Sequence, residues 1–294
     1  MKKALDSHMK HRVEMFQVTS SPLDSGTIVY KLSVEPSAKT VHVNIISPSS
    51  MAGTRSVDNS RTLRTYFPNQ KEILEQPSPQ KFRTSTKTRM ELIQRNYRLS
   101  LVAGREIAER KTYLIELKPK EPSVGTRRVL IDQDKGTILA SYLRDPATRT
   151  EFTLSTTLVV NYNVKFAPGE FDLPKDIIPT KEVMPIELSQ FKDAAKKLGF
   201  APRIPPTLPY GFQIVSRQVV GSQEKPFLAI RVSDGMNNVN VYQWNIKKFD
   251  GKSPMSNVRT KQDPYRITYY VDGDAPIGIL NAIRDAFIAR ASQS

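Results

Sequence analysis

The chain has 294 residues, length enough for two domains and a sizeable core. Its 44 Lys and Arg against 29 Asp and Glu give a net charge of +15, which favours anionic partners: a membrane surface, an acidic protein segment or nucleic acid. With no cysteine, disulfides, thiolate metal sites and a cysteine nucleophile are excluded, and no run approaches the roughly 18 apolar residues of a membrane helix.

In chain order, Leu5, Met9, Val13 and Phe16 fall at helical spacing and predict an N-terminal helix with one apolar face. The opening MKKALDSHMK has a basic start but no apolar stretch after it, so no signal peptide is read there. After SSPLDSG the period changes to two. Ile28, Tyr30, Leu32 and Val34, then Val41, Val43 and Ile45, predict two half-buried strands joined by a PSAK turn.

The stretch RTLRTYFPNQKEILEQ, residues 61–76, sets two arginines before aromatics and a tight turn. It is either an anion grip or a further hairpin. Phe67-Pro68-Asn69-Gln70 has the residues turns use, and the hairpin reading is preferred.

Residues 81–98, KFRTSTKTRMELIQRNYR, hold the densest charge: Lys81, Arg83, Lys87, Arg89, Arg95 and Arg98 against Glu91 alone. Most of this segment reads as helix. The six cations are the candidate site for an anionic partner, with an ordinary solvated face as the alternative. The rest of the excess is spread, +9 over residues 1–174 and +6 over 175–294.

A second strand series follows in YRLSLVAGREIAERKTYLIELKPK, in TRRVLIDQDKGTILASYLRD with its DQDKG turn, and in EFTLSTTLVVNYNVKF. At least eight strands in one antiparallel run predict a barrel or half-barrel. Pro174, Pro179 and Pro185 mark an interdomain linker over 171–188. SQFKDAAKKLGF predicts a helix capped by Ser189 and ended at Gly199, and PRIPPTLPYGF leads into strands near 212–220, 227–233, 238–246 and 265–271. DAPIGILNAIRDAFIAR predicts a closing helix with Asp274 as N-cap.

Catalytic chemistry finds little support. The three histidines, His8, His11 and His42, do not form a metal-ligand set. Asp132 and Asp134 could pair as catalytic acids, but they sit where a hairpin turn needs Asp. No phosphate-cradling glycine loop is present. Most aromatics, Trp244 included, alternate in phase with aliphatics as core residues do, which argues against a sheet that reads RNA. A non-enzymatic protein without cofactor, metal or nucleic acid is expected.

The order of parts resembles a known family. The run from SGTIVYKLSV through ISPSSMAGTRSVDNSRTLRTYFP to NYRLSLVAGREIAERKTYLIELKPK and RRVLIDQDKGTILASYLRD is similar to the lipoprotein-carrier (LolA/LolB-like) fold. LGFAPRIPPTLPYGFQIVSRQVV, RVSDGMNNVNVYQW and ITYYVDGDAPIGILNAI resemble the smaller domain of sigma-E regulatory proteins of the MucB/RseB type. The resemblance implies an α+β protein: an open antiparallel half-barrel with covering helices over residues 1–174, a linker over 175–188 and a smaller α+β domain over 189–294. It also implies a periplasmic or extracytoplasmic protein that senses lipid or lipoprotein acyl chains, binds the extracytoplasmic domain of an anti-sigma factor and associates with a membrane surface. The alternative is a carrier or scavenger of lipids or lipoproteins without a signalling role. On either reading, Leu5, Met9, Val13 and Phe16 are the candidate lining of an apolar ligand cavity, bordered also by the 81–95 segment.

Overall fold

The computed structural model describes residues 1–2, 4, 10–20, 26–181, 186–187, 191–221, 225–249, 260–263 and 266–291. The chain packs as two compact units. The first comprises residues 1–86, 97–119 and 125–182, and the second 87–96, 120–124 and 183–294.

The first unit is built on β1 (Val13–Ser20), β2 (Thr27–Glu35), β3 (Thr40–Ser47), β4 (Arg55–Asp58), β5 (Thr62–Phe67), β6 (Glu72–Pro77), β7 (Tyr97–Ala103), β8 (Thr112–Pro119), β9 (Thr126–Asp132), β10 (Ile138–Arg144), β11 (Glu151–Asn161) and β12 (Thr180–Lys181). They form one 12-stranded sheet in the order β12-β6-β5-β4-β3-β2-β1-β11-β10-β9-β8-β7. Two antiparallel meanders, β1 to β6 and β7 to β11, are joined by the pairing of β1 with β11. The outermost strands do not pair with each other, so the sheet stays open, as the half-barrel expectation requires.

The expected N-terminal helix is corrected in its extent: Lys2 and Ala4 are helical, but the helix does not reach Val13 or Phe16. Val13 and Phe16 lie on β1, where successive side chains take opposite faces: Val13, Met15 and Gln17 are buried on one side while Phe16 points to the other. Val13 to Thr19 reads equally well at period two, and pairing with β2 and β11 satisfies the backbone on both sides. That long-range pairing overrides a helical period carried by four residues. Leu5 and Met9 lie outside the described residues.

The 61–76 stretch is a hairpin of β5 and β6, and Arg64 is used inside it, its Nε 2.6 Å from Glu75 on the facing strand. The tail of the first unit is docked on its sheet. Phe171 stacks on His42 of β3, Phe166 packs on Phe171 with ring centroids 4.9 Å apart, and β12 adds in parallel to β6.

The second unit has a six-stranded antiparallel sheet of β13 (Ile186–Glu187), β14 (Gln213–Gly221), β15 (Pro226–Ser233), β16 (Asn238–Asn245), β17 (Thr260–Gln262) and β18 (Ile267–Gly273), in the order β13-β14-β15-β16-β18-β17. Among the described residues, three α-helices belong with it: α1 (Thr86–Asn96, from residue 87), α2 (Phe191–Leu198) and α3 (Ile277–Ala291). Helix α3 starts after Pro276 and buries Ile279, Leu280, Ile283 and Phe287, one helical face, against β18. Trp244 is fully buried in this core, as its in-phase alternation predicts. Asp274, expected as the cap of α3, accepts the backbone N–H of Asn238 at 2.6 Å.

Helix α1 is a core element of this second unit. Leu92 and Ile93 are fully buried, and the 234–237 turn rests against the helix backbone. Gly235 has φ +101°, and a Cβ there would come within 2.8 Å of the Ile93 nitrogen. Only glycine satisfies both conditions. Most of the segment read from sequence as flanking the barrel is therefore a helix inserted into the second unit.

Candidate functional site

The segment APRIPPTLPYGF, residues 201–212, approaches β14 without joining the sheet, because its prolines lack N–H donors and fix φ. Gln243 of β16, fully buried, holds it in place. The Gln243 amide donates to the Arg203 carbonyl at 2.7 Å and accepts the Arg203 N–H at 3.1 Å. The segment ends in two left-handed residues, Tyr210 at φ +59° and Gly211 at φ +73°. Asn96, the last residue of α1, donates to the carbonyls of Gly211 at 3.1 Å and Asp234 at 3.0 Å. A side chain at position 211 would run into the Asn96 amide, so glycine is required there as well.

Between the end of α1, this proline segment and the start of β14 lies a cleft of about 960 Å³. Pro205 and Phe212 are its buried parts, and Ile204, Leu208 and Ile214 add half-buried apolar surface. Arg95, Arg203 and Arg217 come to it from three different elements, and among the described residues no carboxylate lines it. It is an electropositive, partly apolar groove with preset walls.

The basic segment is not one patch. Arg95 lines the cleft. Lys87 is exposed on α1, whereas Arg89 turns inward and donates from Nε to the Gly235 carbonyl at 3.4 Å. Arg83 and Arg98 are exposed in the first unit, Arg98 opposite Lys118 on β8. Lys81 lies in a 3-10 turn, Pro79–Phe82. Sequence reasoning missed Arg203, Arg217, Gln243 and Asn96. A single arginine amid the prolines of PRIPPTLP was the one local signal for the cleft.

Two further groupings lie in the first unit. Asp132, in the β9–β10 turn, accepts from Arg110 Nε at 2.9 Å, from the backbone N–H groups of Asp134 and Lys135, and from the Tyr162 hydroxyl at 3.1 Å. Burial acts to raise its pKa, but the Arg110 hydrogen bond and the two backbone donors prevail and hold it below the usual carboxylate range. Asp134 is tied to the same guanidinium at 2.7 Å. The two aspartates thus serve the turn and an ion pair, and burial pushes the Tyr162 phenol up. On one face of β1 to β3, Val13, Met15 and Val34 form a buried apolar cluster flanked by half-buried Leu32 and Val41. Of the four residues expected to line a cavity, Val13 belongs to this cluster and Phe16 points away from it.

Among the described residues, no group of three His, Asp or Glu is placed to hold a metal ion, and no helix is long and apolar enough to cross a membrane.

The open sheet followed by the small helical-and-stranded unit is similar in fold to MucB. MucB itself aligns over 97% of this chain and 94% of its own with a TM-score of 0.61 at 12% identity. MucB in complex with MucA(peri) aligns over 97% and 95%, TM-score 0.61, at 14% identity. The Pseudomonas aeruginosa MucA/MucB complex aligns over 97% and 94%, TM-score 0.62, at 14% identity. No family model matches the sequence, and no curated protein does.

Proposed function

We propose that this chain is an extracytoplasmic regulatory binding protein that engages the extracytoplasmic domain of an anti-sigma factor and reports the presence of lipid or lipoprotein, without catalysing a reaction. The observation that supports it is the extent of the likeness: 97% of this chain aligns with MucB, which is seen bound to MucA. The arginine cleft suits a protein partner, since it brings three guanidinium groups beside apolar surface. The test is calorimetric titration of the whole chain with the extracytoplasmic domains of the anti-sigma factors encoded in the same genome. A 1:1 complex with a Kd in the micromolar range or tighter supports the reading, and no heat with any of them ends it.

A carrier or scavenger of lipids is the second reading. It is favoured by the half-buried Leu32 and Val41 beside the apolar cluster of the open sheet. Mass spectrometry of an organic extract of the purified protein separates the two: bound acyl lipid without any anti-sigma partner favours the carrier.

A further inference from the structure

We infer that the cleft between the end of α1, residues 202–208 and the start of β14 is the seat of an extended peptide in which carboxylates alternate with apolar side chains. This rests on the reading of the chain as a protein-binding regulator, and it assigns the part of the partner that is held.

The chemistry is in the choice and placement of the cations. All three are arginines, whose planar forks match a carboxylate bidentately, where an ammonium acts only as a point charge. They arrive from a helix end, a proline segment and a strand, and converge on a groove whose described lining holds no acidic residue. Three positive charges sharing a low-dielectric concavity focus a positive potential into it. Between them, Ile204, Leu208 and Ile214 present apolar surface that a carboxylate cannot use and an apolar side chain can.

The cleft is also preset. Gln243 fixes the Arg203 backbone from both sides, Asn96 fixes Gly211, and three prolines stiffen the wall between. A peptide therefore meets walls that lose little freedom when it binds. An anionic bilayer would be met by a flat exposed rim of basic residues, whereas these guanidiniums surround a concavity with buried Pro205 and Phe212.

The experiment uses the full chain and a fluorescein-labelled twelve-residue peptide alternating Glu and Leu, with Gln in place of Glu as its neutral control. Fluorescence polarisation is read at low and at physiological salt. The acidic peptide is expected to bind at least tenfold tighter than the neutral one. R95Q and R217Q are each expected to weaken it by about tenfold and to flatten its salt dependence. Lys175→Gln, on an exposed side chain of the first unit, is expected to leave it unchanged. Arg95 is exposed at a helix end, so R95Q folds irrespective of R217Q, and R217K keeps the charge while removing the fork.

Equal affinity for the two peptides, or an unchanged Kd in R95Q and R217K, overturns the assignment. So does arginine-dependent capture of vesicles containing one-fifth phosphatidylglycerol when the peptide does not bind. An anti-sigma domain that binds wild type and R95Q/R217K alike leaves the regulatory reading standing and removes the cleft from it. Peptide binding without any anti-sigma complex does the reverse.

Discussion

His42 lies under Phe171 with ring centroids 5.4 Å apart and planes inclined by 29°. His42 is a buried strand residue, and Phe171 belongs to the proline-poor part of the segment that composition marks as a linker. The same tail places Glu170 3.8 Å from Lys31 and receives Arg55 at the Asp172 carbonyl. It is held to the sheet by a ring stack at its centre and polar contacts on either side. Neither nitrogen of His42 has a hydrogen-bond partner, nor has the hydroxyl of Ser33 opposite it. A buried ring so placed is intolerant of charge.

Stability of the first unit should therefore fall on acidification. Burial first, and then the nearby Arg55 and Lys31 charges, hold the His42 pKa below its ordinary value, while Glu170 acts weakly the other way. The unfolded chain takes up a proton near pH 6.5 and the folded chain does not. The stability associated with neutral His42 is full above that pH and is lost progressively as pH falls toward the folded pKa. Thermal melts between about pH 7.5 and 5.5 should show this loss, and His42→Leu should reduce it with little cost at neutral pH. A slope equally steep in H42L would place the titration elsewhere.

Asp132 has the opposite sign. Its carboxyl titrates below the ordinary range, so the stability it contributes is present above about pH 4 and is lost as pH falls further. Asp132→Ala removes the acceptor of Arg110, of two turn N–H groups and of Tyr162, and should cost on the order of 2 kcal/mol. The loss is expected to be smaller than for a sealed ion pair, since Arg110 keeps Asp134. Urea unfolding of the variant at neutral pH measures it.

Much of the fold was legible because alternation and turn chemistry are local. The hairpins at Phe67-Pro68-Asn69-Gln70 and at Asp132, the second-unit strands and the apolar face of α3 all follow from residues within one turn or strand of each other. What failed was long-range. Val13 and Phe16 satisfy two periods at once, and only β2 and β11 decide between them. The insertion of α1 into the second unit depends on Gly235, some 140 residues away in sequence, which offers nothing to a local reading. The cleft needed three arginines from three elements, and only Arg95 stood in a cluster that drew notice.

That insertion predicts how the chain can be cut. A fragment of residues 183–294 lacks Leu92, Ile93 and Asn96, and should be less stable than the same unit in the intact chain. Gly235→Ala in the full chain should reproduce part of the defect, because its Cβ meets the Ile93 nitrogen and its φ is unfavourable for alanine; a cost above about 1 kcal/mol is expected. Circular dichroism melts of both, with the fragment retested after adding a peptide of residues 86–96, check this. A fragment as stable as the parent would overturn it.

Strand β7 should be the site of self-association. It ends the 12-stranded sheet, and Leu101 and Val102, on opposite faces, are 62% and 53% exposed. It carries no proline or lysine, two usual blocks to edge pairing. Leu101→Lys is expected to lower the concentration-dependent light scattering of the protein without lowering its melting temperature.

The clamp at Gln243 gives the sharpest separation of cleft from fold. Its side-chain amide bonds both the backbone N–H and the carbonyl of Arg203, and it sits in the middle of a strand bonded on both sides. Gln243→Leu keeps approximate volume and the strand ladder, but leaves the two Arg203 groups to find water or stay unpaired, at a cost of roughly 1–3 kcal/mol. The prolines of 202–206 cannot make replacement hydrogen bonds through nitrogen, so the freed segment has few backbone donors of its own to re-anchor it. Hydrogen exchange should therefore rise at the non-proline amides of 203–208, while those of β15 and β16 stay protected. Gln243→Glu retains an acceptor for the Arg203 N–H but loses the donor and buries a charge, so it should be the more destabilising change. If Q243L exchanges like wild type at Arg203 and Ile204, the wall of the cleft is held by its prolines alone and the clamp is dispensable.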